Sequence, residues 1–175
     1  MLIQIFDFDG TLVNTPNREF SEKIYLEDKG VVWPFIGFYG RLESLIPPVF
    51  PEIPENKYAI EEVAAICREK KANHTVLMTG RPYKIRHRVL EICKHLGMNF
   101  DDCYFRGQKD CDNSGDTFVF KKSILIRLQC LKPTIFEMWE DREDHFNQFS
   151  ELFDQFRIDY PQTNFILHRV FTPEL

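Results

Sequence analysis

Leu2-Ile3-Gln4-Ile5-Phe6-Asp7-Phe8-Asp9-Gly10-Thr11 decides how this chain is read. The apolar run 2–8 feeds directly into two aspartates and a glycine, which describes a buried strand with an acidic tip. Alternation along a strand points Asp7 and Asp9 to one side and packs Phe8 away. Two carboxylates that close repel unless a cation stands between them or one takes a proton, and hard oxygen ligands favour Mg²⁺. One of the pair can attack phosphorus to form an aspartyl-phosphate; its neighbour can protonate the leaving oxygen and then activate water. Gly10 lets the chain turn away sharply. An acidic Asp-Gly surface turn is the bland alternative, and the apolar strand leading into it argues against that.

Four more short apolar segments follow, Thr75–Met78, Cys103–Phe105, Ile135–Trp139 and Phe165–Val170. Stretches of helix-forming length, Pro82–Leu96, Thr117–Leu131 and Glu143–Phe156, lie between the later ones. Repeated β-α units imply an α/β fold, a three-layer Rossmann-like domain with a mostly parallel five-stranded sheet and helices on both faces. Ligands in such sheets bind beyond the carboxyl ends of the strands. The interval 15–56 breaks the alternation. It carries Trp33, Phe35, Phe38 and Tyr39 and then Pro47, Pro48, Pro51 and Pro54, so a small loop-rich cap or flap packed by aromatics is expected inside one domain of 1–175.

The other strand tips supply complementary chemistry. Thr79-Gly80-Arg81-Pro82 offers a hydroxyl, free N–H groups at the following helix and a forked cation, which together suit a phosphate; a structural N-cap is the alternative. At about 100° per residue, Lys121 falls on the arc of Phe120, Ile124, Leu125 and Leu128, while Lys122 lies off it. An inward lysine requires an anion, so Lys121 is expected to neutralise Asp7 and a bound phosphate. Glu140-Asp141 is a second acidic pair at a strand tip, able to complete a Mg²⁺ site with Asp7 and Asp9, with Asp141 preferred as ligand and Glu140 second. His145 orients that loop or packs.

Composition sets the limits. The chain has 175 residues, 43% of them hydrophobic and 28% charged, with a net charge of −5, which fits a globular domain and excludes disorder as a class. It has no apolar run long enough to span a membrane and no leader pattern, and five cysteines without a C-x-x-C pair suit reduced thiols, so a cytoplasmic location is expected. Asp110-Cys111-Asp112-Asn113-Ser114-Gly115 begins like a calcium loop, but its twelfth position is Lys121 where a bidentate acid is needed. Arg81, Lys84, Arg86, His87, Arg88, Lys94 and His95 form either a polyanion track or a solvated helix face.

Asp7-x-Asp9-Gly10-Thr11, Thr79, Lys121 and Glu140-Asp141, in that order, resemble the four motifs of the haloacid dehalogenase-like (HAD) phosphohydrolases. The resemblance implies a Mg²⁺-dependent phosphatase with Asp7 as nucleophile, Asp9 as general acid/base, Thr79 and Lys121 as phosphate stabilisers, and Gly10, Thr11, Gly80 and Arg81 as further phosphate contacts. Within that superfamily, Thr79-Gly80-Arg81, Thr117-Phe118-Val119-Phe120-Lys121 and Trp139-Glu140-Asp141-Arg142 with His145 resemble the Swiss Army Knife RNA repair-like domain. Gly115-Asp116-Thr117 and the Glu-Asp-Arg run are also similar to the phosphatase half of polynucleotide kinase-phosphatases. Both resemblances imply a phosphorylated nucleotide or nucleic-acid end as substrate, without a membrane and with no partner protein indicated. The fourth motif departs from the commoner form, with Glu140 in place of glycine and His145 in place of aspartate. Hydrolysis of a small metabolite under the aromatic insertion, and a noncatalytic binding module, are the competing readings. A flap folded over the strand tips would favour the former.

Overall fold

Strand β1 (Leu2–Phe6) runs at the centre of a sheet between β2 (His74–Pro82) and β4 (Ile135–Glu140), with β3 (Asp102–Arg106) and β5 (Asn164–Arg169) at the edges. The computed structural model describes residues 1–109, 111 and 115–173; the calcium-like stretch rests on Asp110, Asp112 and Ser114, which lie outside that set. All four strand pairings are parallel. The order β3-β2-β1-β4-β5 reverses direction at β1, so the crevice beyond Phe6 is the topological switch point where such sheets bind ligands.

The helices follow from local sequence. Helix α1 (Arg18–Lys29) is capped by Asn17, whose side chain accepts from Phe20 N at 2.9 Å, and ends at Gly30 in the left-handed region. Helix α2 (Glu61–Glu69) turns Val63, Ala64 and Cys67 inward. Helices α3 (Arg86–His95), α4 (Thr117–Leu128) and α5 (Glu143–Asp159) fill the three expected intervals, α4 capped by Asp116 through Phe118 N and Val119 N.

Period-two alternation sorts the strands into two cores. Phe6 and Leu77 pack with α2 and α3 on one face, while Ile3, Ile5, Val76 and Met78 pack with α4 and α5 on the other. The second core is rich in phenylalanine: Phe153 lies 5.9 Å from Phe136 and 5.4 Å from Phe165, ring centre to ring centre. Each such fully buried ring contributes about 1.5–3 kcal/mol.

The insertion differs from the loop-rich expectation in its first third. Residues 18–29 contain no proline and carry both caps, so they form α1; irregular chain begins only after Gly30 and includes a single 3₁₀ turn, Leu42–Leu45. Only Ser21 of α1 is buried. An aromatic chain holds the region together, Tyr25 to Trp33 at 5.2 Å, Trp33 to Phe38 at 5.4 Å and Phe38 to Tyr39 at 5.0 Å. Arg88, buried on α3, anchors the far end by donating to the carbonyls of Leu45 and Pro51, each at 2.8 Å. No helix among the described residues is long and apolar enough to cross a membrane.

Candidate active site

Asp7 emerges where β1 ends, and Phe8 turns into the core behind it, so the carboxylate is left facing the crevice. From the opposite face, α4 delivers Lys121, which is 1% exposed and donates to Asp7 Oδ2 at 2.6 Å and Glu140 Oε2 at 2.7 Å. The helical-phase argument therefore holds for both lysines: Lys122 is exposed. Ligand atoms of Asp7, Glu140 and Asp141 all lie within 4.8 Å of one another. Three carboxylates thus face one ammonium.

The electrostatics record that imbalance. Burial, followed by the neighbouring Glu140 and Asp141, raises the Asp7 carboxyl to about 7 against the pull of Lys121. Burial and Glu140 raise Asp141 to about 6. For Glu140 burial pushes upward, but Lys121 and His145 more than offset it and lower the group to about 2. Burial opposes the charge on Lys121, yet Asp7 and Glu140 together raise it above its ordinary value. Lys121 bonds both Asp7 and Glu140, and one ammonium among three carboxylates leaves the cluster short of positive charge. An all-oxygen cluster with surplus negative charge fits a hard divalent cation such as Mg²⁺.

Two glycines make this closeness possible. Gly10 has φ +69°, and a Cβ there would stand 2.2 Å from Asp141 Oδ2 and 2.9 Å from Thr172 Oγ1. Gly80 lies against α4, where a Cβ would stand 2.8 Å from Thr117 Cγ2. Below them Phe6 stacks on Trp139 at 4.7 Å, and Trp139 on His168 at 4.7 Å, a rigid floor for the strand tips.

The structure distributes the expected residues unevenly. Asp7, Asp9, Gly10, Gly80, Arg81 and Asp141 line one cavity of about 1050 Å³. Glu140 is fully buried behind it, and Thr79 is fully buried with Oγ1 accepting from Arg81 N at 3.1 Å. Thr11 is buried, its hydroxyl 3.4 Å from Asp141 Oδ1. Asp9 turns from the carboxylate cluster toward Thr15 Oγ1 at 2.7 Å and Arg81. Arg81 is not the free phosphate fork expected at the helix start. Its side chain is fully buried, with Nε and Nη2 on Asp9 at 2.9 and 2.7 Å and Nη1 on Tyr39 O at 2.9 Å and Ser44 Oγ at 2.5 Å.

The expected basic track is thinned in the same way, because Arg88 is buried against carbonyls and Arg86 lies over the Tyr83 ring at 4.1 Å. Other basic groups reach the cavity instead, Arg106 and Arg142. Sequence reasoning missed Tyr39, Ser44 and Thr15 as partners of the site, and missed the tail: Thr172 donates to Gly10 O at 2.6 Å, and Asn14 donates to Pro173 O at 3.0 Å. Nothing in the local pattern distinguishes these residues. His145 is buried between Phe118 and Phe149, with Nδ1 3.6 Å from Glu140 Oε1, which is a supporting position behind the cluster.

Comparison with known proteins agrees with this architecture. The chain is similar in fold to the HAD domain of effector protein Lem4 from Legionella pneumophila, with TM-score 0.54 at 13% identity over 99% of this chain and 88% of that one. No curated protein matches the sequence. Residues 56–172, which carry Gly80, Lys121, Glu140 and Asp141, match the family described as HAD domain family 1 in Swiss Army Knife RNA repair proteins. The strand order, the groups that β1, β2, α4 and β4 bring to the crevice, and this match lead to one assignment: the chain belongs to that HAD domain family.

Proposed function

We propose that the chain hydrolyses a phosphomonoester and that the scissile phosphate sits over Asp7. The observation that carries this reading is the meeting of Asp7, Lys121 and Asp141 at the mouth of the sheet's switch point. Asp7 is the nucleophile: its Oδ1 accepts from Phe8 N at 2.7 Å and its Oδ2 from Lys121, so the carboxylate is fixed for attack on phosphorus. Lys121 offsets negative charge on Asp7 and on the phosphoryl oxygens. Asp9, on the same loop, protonates the leaving oxygen and then takes a proton from the water that cleaves the aspartyl-phosphate. Asp7 and Asp141 would hold Mg²⁺, which supplies Lewis-acid neutralisation of the phosphate when bound.

For the substrate, we infer a phosphate at the end of a nucleotide or polynucleotide. Arg106 and Arg142 line the cavity beside the acidic centre, which suits an ester bearing further negative charge, and the family is described from RNA repair proteins. A phosphatase screen with Mg²⁺ tests both levels, setting 3′- and 5′-phosphorylated RNA and DNA oligonucleotides beside mononucleotides and sugar phosphates. Preference for phosphorylated oligonucleotides is expected. Equal turnover of every ester refutes the substrate, and no turnover of any refutes the activity. One observation favours a small metabolite as the alternative: Gly37, Phe38, Tyr39 and Gly40 of the insertion line the cavity, so the flap does reach over the strand tips.

A further inference from the structure

We propose that Arg81 is a positioning residue that couples the insertion to Asp9, so that the placement of the insertion governs protonation of the leaving group. The inference rests on the phosphatase reading above.

Arg81 lies between two bodies. Its Nε and Nη2 grip both oxygens of Asp9, at 2.9 Å to Oδ2 and 2.7 Å to Oδ1, a forked arrangement that fixes the plane of the carboxylate. Its Nη1 is held by the insertion, through Tyr39 O and Ser44 Oγ. Four of the five N–H groups of the guanidinium are therefore engaged, and its carbon lies 5.2 Å from the centre of the Tyr39 ring. Ser44 is itself fully buried, and its hydroxyl donates to Arg41 O at 2.8 Å, so its orientation follows the chain of the insertion. A guanidinium committed in this way has little left for a phosphoryl oxygen. What it transmits is orientation: a shift of Tyr39 and Ser44 moves the fork, and the fork moves Asp9.

The experiment uses leaving-group chemistry. An alkyl phosphate departs as a poor leaving group that requires a proton, whereas p-nitrophenyl phosphate departs as a stable phenolate that hardly does. In Arg81→Lys, kcat/KM, which reports the steps up to departure of the leaving group, is expected to fall about 10²-fold on the alkyl ester, the cost of a misplaced catalytic group, and less than about tenfold on the aryl ester. Competitive inhibition by inorganic phosphate should stay unchanged. Ser44→Ala gives a second reading. Ser44 does not line the cavity and accepts from Arg81 Nη1, so a selective loss on the alkyl ester is expected in that variant if the insertion steers Asp9 through Arg81. Equal losses on both esters, with weakened phosphate inhibition in Arg81→Lys, would assign Arg81 to the phosphate and overturn the proposal. So would an unchanged ratio between the esters in Ser44→Ala. Absence of turnover by the unaltered chain on either ester refutes the phosphatase reading itself, a result separable from the other two.

Discussion

Lys121 Nζ stands 2.6 Å from Asp7 Oδ2 across 114 residues of chain, the lysine fully buried and the aspartate open only toward the cavity. The contact joins α4 to the end of β1 and makes the lysine part of the fold as well as of the chemistry. Removing it leaves Asp7 and Glu140 facing each other without a counter-charge. Lys121→Met should destabilise the chain by about 3–5 kcal/mol, the usual cost of breaking a buried ion pair from one side. Denaturant melts of the two proteins at neutral pH measure it; a loss under 1 kcal/mol contradicts the buried pairing.

Asp7→Asn keeps the shape of the side chain and removes its nucleophilic oxygen. Turnover should fall by roughly 10⁴-fold or more. Because the substitution also removes a buried negative charge from a crowded cluster, the variant should melt no lower than the parent when metal is chelated. Steady-state rates and a thermal melt on the same preparation check both halves.

The pH dependence of the metal-free chain follows from the raised carboxyls. Asp7 and Asp141 hold their protons in the folded state up to about 7 and about 6, whereas unfolded they lose them near 3.8. The folded state therefore binds more protons across that interval, and its stability falls as pH rises through it. Glu140, lowered to about 2 from 4.5, acts in the opposite direction but is ionised in both states above about pH 5. In chelator, the melting temperature should fall between pH 5 and pH 7.5 by on the order of 10 °C. Mg²⁺ should flatten the slope. A flat profile in chelator, or the same slope in Asp7→Asn combined with Asp141→Asn, counts against the cluster.

Gly10→Ala places a methyl against Asp141 Oδ2 in a backbone conformation that L-residues avoid at a cost of about 1–2 kcal/mol. The flexible way to relieve the contact is to swing Asp141 aside. Weaker Mg²⁺ binding is expected in titration calorimetry, together with a lower melting point. Unaltered Mg²⁺ affinity would show that Asp141 is not a ligand.

Arg88→Ala releases the carbonyls of Leu45 and Pro51 without removing a side chain that lines the cavity. Limited proteolysis should then cut within 31–55 well before the sheet unfolds, and the far-ultraviolet spectrum should change little. Simultaneous loss of all structure would mean that the insertion and the sheet fold as one cooperative body.

Much of this architecture was legible in the residues. Leu2 to Phe6 announces β1 through its apolar pattern, and the arc of Phe120, Ile124, Leu125 and Leu128 shows which of two adjacent lysines points inward. Helix α2 is only faintly signalled, by Glu61 and Glu62 in its first turn and the inward spacing of Val63, Ala64 and Cys67 over nine residues. In the insertion, four prolines between 47 and 54 drew attention from the proline-free stretch that forms α1. Arg81 shows where sequence stops. A forked cation beside a strand tip looks free until the partners that occupy it, Tyr39 and Ser44, are brought to it from forty residues away by an irregular segment with no period to read.

The two tryptophans of the chain lie one in the insertion and one beneath the acidic cluster. Trp33 belongs to the aromatic chain of the insertion, and Trp139 is wedged between Phe6 and His168 one residue before the acidic pair. Excited-state emission from Trp33→Phe reports the floor of the active site, and emission from Trp139→Phe reports the flap. The fold thus carries its own pair of spectroscopic labels, by which ligand arrival and flap rearrangement can be timed separately in solution.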